Sequence, residues 1–141
     1  MALVGMLGKH VNQLLLKKAV ELRPSFIIDC ANCANPHNLF PISEEELSQV
    51  FVIEVEVLYM LRDALKNIPE TAKKLGVNII IVTSFHRLFD YGDEKENKDV
   101  YEHSWELMNQ YSTKYDIIVG IKKDSVHEEL ARKYCSNIVE V

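Results

Sequence analysis

The sequence predicts an α/β fold: a three-layer, doubly wound, mostly parallel sheet of about five strands with helices on both faces. Two observations predict it. Short runs rich in β-branched residues alternate along the whole chain with segments of helical hydrophobic periodicity. In addition, residues 77–82 are apolar at almost every position, which is typical of a central parallel strand that helices cover on both faces.

The first third of the chain supplies a helix, a strand and the start of a second helix. Residues 9–22 have helical hydrophobic periodicity, and Pro24 ends that helix. Residues 26–29 are predicted to form a short buried strand. Ser43 and Glu46 form a capping box, in which the Ser43 hydroxyl accepts from the Glu46 backbone N–H and starts a short helix.

The middle of the chain continues the alternation. Residues 50–57 are rich in β-branched side chains, which predicts a strand. Residues 58–67 are predicted to be helical. Pro69 is suited to the first turn of a second helical segment, and Gly76 is suited to its carboxyl end. The strand at residues 77–82 follows.

The last third repeats the same units. Residues 85–98 are predicted to form a polar, mainly acidic loop, and residues 99–112 a helix with an aromatic stripe. Residues 116–120 form a buried strand. A second capping box starts a helix over residues 125–134, and residues 137–141 form the final strand.

The size and charge of the chain bound its function. A length of 141 residues is typical of one domain, and no linker or repeat divides the chain, so we expect residues 1–141 to form a single domain. The net charge of −5 argues against a stand-alone nucleic-acid binder, which carries a basic surface. We therefore expect a protein partner or a second copy of the chain, and not nucleic acid.

The chain also lacks the marks of membrane insertion and secretion. It has no run of about 18 apolar residues, and its start lacks the basic and apolar regions of a signal peptide. Its 3 cysteines are an odd number without the spacing of a disulfide framework, which favours a reducing compartment. We expect a cytoplasmic protein with no membrane contact.

Polar side chains follow two of the predicted strands directly. In a doubly wound sheet, ligands bind outside the carboxyl ends of the strands. Asp29 and Asn32 follow one such strand, and His86 and Arg87 follow another. Asp29 and Asn32 are alternatively turn formers, and Arg87 is alternatively a surface partner of Asp90, an ion pair of little energetic weight.

A short motif precedes the first predicted helix. It is Gly8-Lys9-His10, and a predicted strand that ends at Asp29 follows the helix. This order of units, continued over most of the chain, resembles the RecA/RadA-like ATPase core. In that family a phosphate-binding loop, GxxxxGK followed by Ser or Thr, opens the first helix, and a Walker B strand ending in an acid comes later. The resemblance implies a nucleotide or anion site made of Gly8, Lys9, His10, Asp29, Asn32 and Arg87.

Three departures from the family pattern concern hydrolysis. His10 stands where the family has its Mg²⁺-binding hydroxyl, and the Walker B acid falls near Thr83. The first glycine of the loop falls at Leu3, with too little chain before it for a full strand. Without the hydroxyl and the carboxylate, γ-phosphate chemistry lacks its metal clamp. We therefore expect a degenerate domain that binds or regulates, possesses no ATPase activity and depends only weakly on Mg²⁺.

A second hypothesis comes from a different class of protein. Cys30, Cys33 and His37 have the type of spacing seen in zinc ligands, which predicts a metal- or thiol-dependent enzyme with zinc as cofactor. Alternatively, Cys30 and Cys33 pack as small buried residues or form a redox dithiol. A closed zinc site needs a fourth ligand, for which the candidates are Cys135, His86, His103 and Asp29.

Overall fold

The computed structural model describes residues 1–30, 45, 48–88, 94–123 and 126–141, and of residues 94, 96, 126 and 127 it describes the backbone alone. The strands, in chain order, are β1 (Leu3–Leu7), β2 (Ser25–Cys30), β3 (Val50–Val55), β4 (Ile79–Val82), β5 (Asp116–Ile121) and β6 (Asn137–Glu140). The α-helices in these ranges are α1 (Val11–Glu21), α2 (Leu58–Lys66), α3 (Ile68–Leu75), α4 (Glu94–Tyr111) and α5 (Val126–Tyr134).

The strands form one sheet of 6 strands in the order β3-β2-β4-β5-β1-β6, and every pairing is parallel. The predicted α/β class is therefore confirmed, with one strand more than the roughly five that the sequence suggested. Although β1 and β2 are consecutive along the chain, β4 and β5 lie between them. As a result, the carboxyl ends of β1, β5 and β4 lie side by side at one edge of the sheet.

Helices cover both faces of the sheet. The apolar side of α1 packs on one face, where Leu15, Leu16 and Ala19 form a buried cluster with Ile27 of β2 and Ile81 of β4. On the opposite face a larger core joins the sheet to the other four helices, with Leu61, Ile68, Trp105, Met108 and Ala131 among its buried members. Because its central strands are apolar on both sides, the sheet produces the near-continuous apolar runs seen in the sequence.

Several local predictions are confirmed at the level of single residues. Pro69 lies in the first turn of α3, and Gly76 ends that helix in the left-handed conformation, with φ 69°. That backbone angle favours glycine, because a side chain would crowd the neighbouring carbonyl group. Ser43, Glu46 and Ser125, on which the two predicted capping boxes depend, lie outside the described ranges.

Two elements differ from the prediction. β1 occupies Leu3–Leu7, where the sequence suggested loop positions and no strand. α4 begins at Glu94, five residues before the predicted start at residue 99. Residues 94–99 are all polar or charged, so this part of the helix has no apolar periodicity that would reveal it in the sequence. None of the helices in the described ranges combines the length and the apolar composition that a bilayer crossing needs.

Candidate functional site

A cavity of about 410 Å³ lies at the carboxyl ends of β1, β4 and β5. This is the edge of the sheet where ligands of doubly wound folds bind. The residues that line it come from the β1–α1 turn, the first turn of α1, the segment after β4 and the end of β5. They are Gly8, Lys9, Val11, Asn12, Ser84, His86, Arg87, Lys122 and Lys123.

The turn from β1 to α1 consists of Gly8, Lys9 and His10, because β1 ends at Leu7 and α1 begins at Val11. Gly8 lies directly beneath the end of the chain: a Cβ atom there would lie 2.6 Å from the carbonyl oxygen of Val141. The turn is therefore short and tightly packed. Since Leu3 is the first residue of β1, the connection is not the long loop that the GxxxxGK pattern would require.

The start of α1 faces this cavity with unused hydrogen-bonding capacity. His10 is the N-cap residue, and its side chain makes no capping hydrogen bond. The first turn of α1 contains no acidic residue. The backbone N–H groups at a helix start have no partner within the helix, and together with the helix dipole they favour a bound anion.

A pair of hydrogen bonds joins α1 to the segment after β4 and builds the wall of the cavity. The Asn12 side-chain Nδ2 donates to Ser84 Oγ over 3.0 Å, and the Ser84 backbone N–H donates to Asn12 Oδ1 over 3.0 Å. Gly120 of β5 lies against this pair: a Cβ atom there would be 3.0 Å from the Ser84 nitrogen and 2.8 Å from Leu15 Cδ1. Glycine at position 120 therefore permits the close approach of α1, β4 and β5.

Four basic side chains line the cavity: Lys9, Arg87, Lys122 and Lys123. The described residues that line it include no aspartate or glutamate. Lys123 Nζ lies 3.8 Å from Glu140 Oε1, but both side chains are more than half exposed, so this ion pair is weak. In a chain with a net charge of −5, a cavity lined in this way is a local concentration of positive charge.

The pKa of His86 is affected by the positive charge of the cavity. Partial burial lowers the pKa of its imidazole below the ordinary value of 6.5, and the positive charges of Lys122 and Arg87 lower that pKa further. Both effects disfavour the imidazolium form. His86 is therefore neutral at pH 7, when no anion is bound.

The residues predicted from the resemblance are only partly brought together. Gly8, Lys9 and Arg87 line the cavity, and His10 lies beside it at the start of α1. Asp29 is buried at the end of β2 and does not line the cavity. Asn32 lies outside the described residues.

Thr83, near the position of the Walker B acid, has a structural role. It is fully buried, and its hydroxyl accepts a hydrogen bond of 2.7 Å from the Cys30 backbone N–H. Its own backbone N–H donates to the Ile28 carbonyl. These bonds join the ends of β4 and β2, so the Thr83 side chain is directed into the sheet.

Of the three residues in the zinc hypothesis, the structure describes Cys30. Cys30 is fully buried and belongs to the apolar core, while Cys33 and His37 lie outside the described residues. Cys135 precedes β6 and packs near Gly5 of β1, so β4 and β5 separate it from β2 by about 14 Å. Burial raises the pKa of the Cys135 thiol to about 12, which makes it unreactive. Among the described residues, no three His, Cys, Asp or Glu side chains are grouped to hold a metal ion.

The lining residues that sequence reasoning missed include Asn12, Lys122 and Lys123. The signal for the two lysines was present, because they directly follow an apolar strand, as His86 and Arg87 do. Asn12 gives no such signal, since a polar residue in the first turn of a helix is ordinary.

Comparison with known proteins adds no relative. No family model matches the sequence, and no curated protein matches it.

Proposed function

We propose that this chain is a non-hydrolysing binding module for a phosphate-bearing anion, such as a nucleotide, and that the cavity at the ends of β1, β4 and β5 is its site. The observation that carries the proposal is the group of four basic side chains around one cavity at a helix start, with no acidic residue among the described residues that line it. Basic side chains and helix N–H groups are the usual ligands of phosphate.

Electrostatic repulsion within the cavity supports an anionic ligand. Burial lowers the pKa of His86, and the positive charges of Lys122 and Arg87 lower that pKa further. A bound anion would offset this repulsion between like charges. The volume of about 410 Å³ also falls within the range of about 300–1,000 Å³ that small-molecule sites occupy.

The residues at the positions that hold the metal in the ATPase family support the proposal that this module does not hydrolyse its ligand. Phosphoryl transfer needs a metal ion held by a hydroxyl and a carboxylate, and a group that orients the attacking water. His10 replaces the hydroxyl, and the Thr83 hydroxyl is bonded to Cys30. Gly8 and Lys9 lie between a strand and a helix, and this order supports a degenerate RecA/RadA-like domain. The shortness of the turn between the two elements does not support it.

A regulatory module must transmit the presence of its ligand. Val57, Tyr59 and Met60 are exposed apolar side chains at and just before the start of α2. They offer a surface to a protein partner or to a second copy of this chain. Light scattering with and without ligand measures whether the chain associates, and whether the ligand changes that association.

Calorimetric titration with ATP, ADP and pyrophosphate tests the proposal. We expect saturable heat, and we expect Lys9→Ala to weaken the affinity about tenfold, in line with the loss of one charge-assisted contact. Lys133→Ala, which removes the same charge from the exposed surface of α5, is the matched control and should bind normally. An assay for released phosphate should stay at the background rate. No heat at millimolar ligand in the wild-type protein would overturn the proposal.

A further inference from the structure

We infer that the cavity takes its ligand as a metal-free polyphosphate, with Lys9, Arg87, Lys122 and Lys123 in the place that Mg²⁺ usually fills. This inference rests on the proposed function and specifies the chemical form of the ligand. It makes Mg²⁺ a competitor of binding, which goes beyond a weak dependence on the metal.

The described part of the lining offers few oxygen ligands for Mg²⁺. Mg²⁺ in phosphate sites is held by a carboxylate or a hydroxyl in addition to the phosphate oxygens. Of the described residues that line the cavity, Asn12 and Ser84 are the ones with a side-chain oxygen, and neither carries a carboxylate. Those two residues bond each other: Ser84 Oγ accepts from Asn12 Nδ2, and Asn12 Oδ1 accepts from the Ser84 N–H.

Thr83 offers no replacement oxygen. Its hydroxyl accepts the Cys30 N–H over 2.7 Å, and the side chain is fully buried. A magnesium ion carried in with the ligand would therefore meet no carboxylate among the described lining residues and would lie among four positive side chains. Because like charges repel in a partly enclosed site, the metal-bound form of the ligand is disfavoured.

The positive side chains themselves can neutralise a chain of phosphate groups. They come from different elements: Lys9 from the β1–α1 turn, Arg87 from the segment after β4, and Lys122 and Lys123 from the end of β5. Arg87 can contact a phosphate through two parallel N–H groups, and the lysines act as mobile point charges. The start of α1 supplies backbone N–H donors to the same space.

The described lining has little apolar surface, which indicates that the phosphate groups of the ligand make the main contacts with the cavity. In the described part of the lining, Val11 is the one aliphatic side chain, and no residue there is Phe, Tyr or Trp. Most of the affinity at these residues must therefore come from charge and hydrogen bonds. Inorganic tripolyphosphate, which has no base or sugar, is the suitable probe.

The decisive experiment is calorimetric titration with sodium tripolyphosphate, once with a chelator and once with Mg²⁺ in excess of the ligand. We expect the affinity to fall at least about tenfold with Mg²⁺. Equal or tighter binding with Mg²⁺ would overturn this inference and leave the proposed function intact. An absence of binding under both conditions would overturn both.

Two variants separate repulsion of the metal from any general effect of salt. Lys122→Ala should weaken metal-free binding and should also reduce the ratio between the two affinities, because one positive charge no longer opposes Mg²⁺. Lys133→Ala on α5 should leave that ratio at the wild-type value. The same drop in affinity with NaCl of matched ionic strength in place of Mg²⁺ would show screening alone and would overturn the inference.

Discussion

Two groups of basic side chains on this molecule have different surroundings. On α5, Arg132 Nη2 lies 2.8 Å from Glu128 Oε1, and Lys133 Nζ lies 3.4 Å from Glu102 Oε1. In the cavity, four basic side chains face a shared space, and the described residues that line it include no aspartate or glutamate. In the first group, each basic side chain lies beside one carboxylate of the protein. In the second group, Lys123 lies 3.8 Å from Glu140, and the four charges together face one cavity that an anionic ligand can fill.

Of the substitutions that test this difference, Gly120→Val is expected to have the largest effect on stability and on anion binding. The new side chain would overlap Leu15 Cδ1 and the Ser84 nitrogen, which a Cβ atom alone would meet at 2.8 and 3.0 Å. We expect a loss of about 1–3 kcal/mol in the free energy of unfolding, as for other overpacked sites, together with loss of anion binding. Urea denaturation and calorimetry measure the two effects.

Gly76→Ala is the matched control for that variant. Gly76 has φ 69° and no atom within 4 Å of an added Cβ, so the substitution brings only backbone strain, about 1–2 kcal/mol. It should lower stability and leave anion affinity unchanged. If Gly120→Val bound the anion as tightly as Gly76→Ala, the cavity beside Gly120 would not be the site.

Asn12→Ala is expected to have the next largest effect. It removes both hydrogen bonds to Ser84, each of which contributes about 0.5–1.5 kcal/mol. Asn12→Asp keeps the acceptor for the Ser84 N–H but places a negative charge in the cavity. Chemical denaturation should rank Asn12→Ala as the less stable variant, whereas titration should rank Asn12→Asp as the weaker binder. The same order in both measurements would contradict a positively charged cavity.

A smaller effect concerns pH. The pKa of His86 lies below 6.5 in the free protein because of burial and the charges of Lys122 and Arg87. A bound anion would raise that pKa, so protonation of His86 strengthens binding. Affinity should therefore increase as the pH falls from 8 toward 5, by up to about tenfold for a rise of one unit in the pKa.

The control for the pH effect is His86→Gln, measured over the same range. Phosphate groups themselves titrate near pH 6, and this contribution persists in the variant. The difference between the two profiles therefore belongs to His86. Identical profiles for wild type and variant would show that His86 does not sense the ligand.

Much of the fold was predictable because its signals are local. Buried parallel strands are apolar on both faces, and Gly76 and Pro69 occupy positions that helix geometry assigns to them. β1 escaped detection because Gly5 interrupts it and its other side chains are mostly not β-branched. Gly5 is set by a distant contact, since a Cβ there would lie 2.5 Å from Ile121 Cδ1 of β5.

The site was less predictable, because the order of the strands in the sheet decides which residues lie together around the cavity. Gly8 and Lys9 could be proposed from the resemblance to a phosphate-binding loop, and Arg87 because it follows a predicted strand. Lys122 joins them because β5 lies between β4 and β1, an arrangement that consecutive spacing does not encode. The engagement of Asn12 with Ser84 is likewise a contact between residues 72 positions apart.

The smallest expected effect is a difference in sign between the stability changes that two arginine substitutions cause, one on α5 and one in the cavity. Arg132→Ala removes an exposed ion pair four residues apart on one helix, so unfolding should become easier by about 0.3–0.5 kcal/mol. Arg87→Gln removes a charge that repels the other cations of the cavity, so the ligand-free protein should be as stable as wild type or slightly more stable. Urea denaturation at low ionic strength, where surface charges are least screened, measures both.

The outcome for Arg87 also separates the two interpretations of that residue. If Arg87→Gln lowers the free energy of unfolding as Arg132→Ala does, Arg87 is a surface partner of a nearby carboxylate, with Asp90 the candidate that the sequence suggested. If stability is kept and tripolyphosphate affinity falls, the guanidinium serves a ligand. The two basic groups would then differ in kind, because charges on α5 stabilise the chain itself, whereas charges in the cavity act only when an anion is bound.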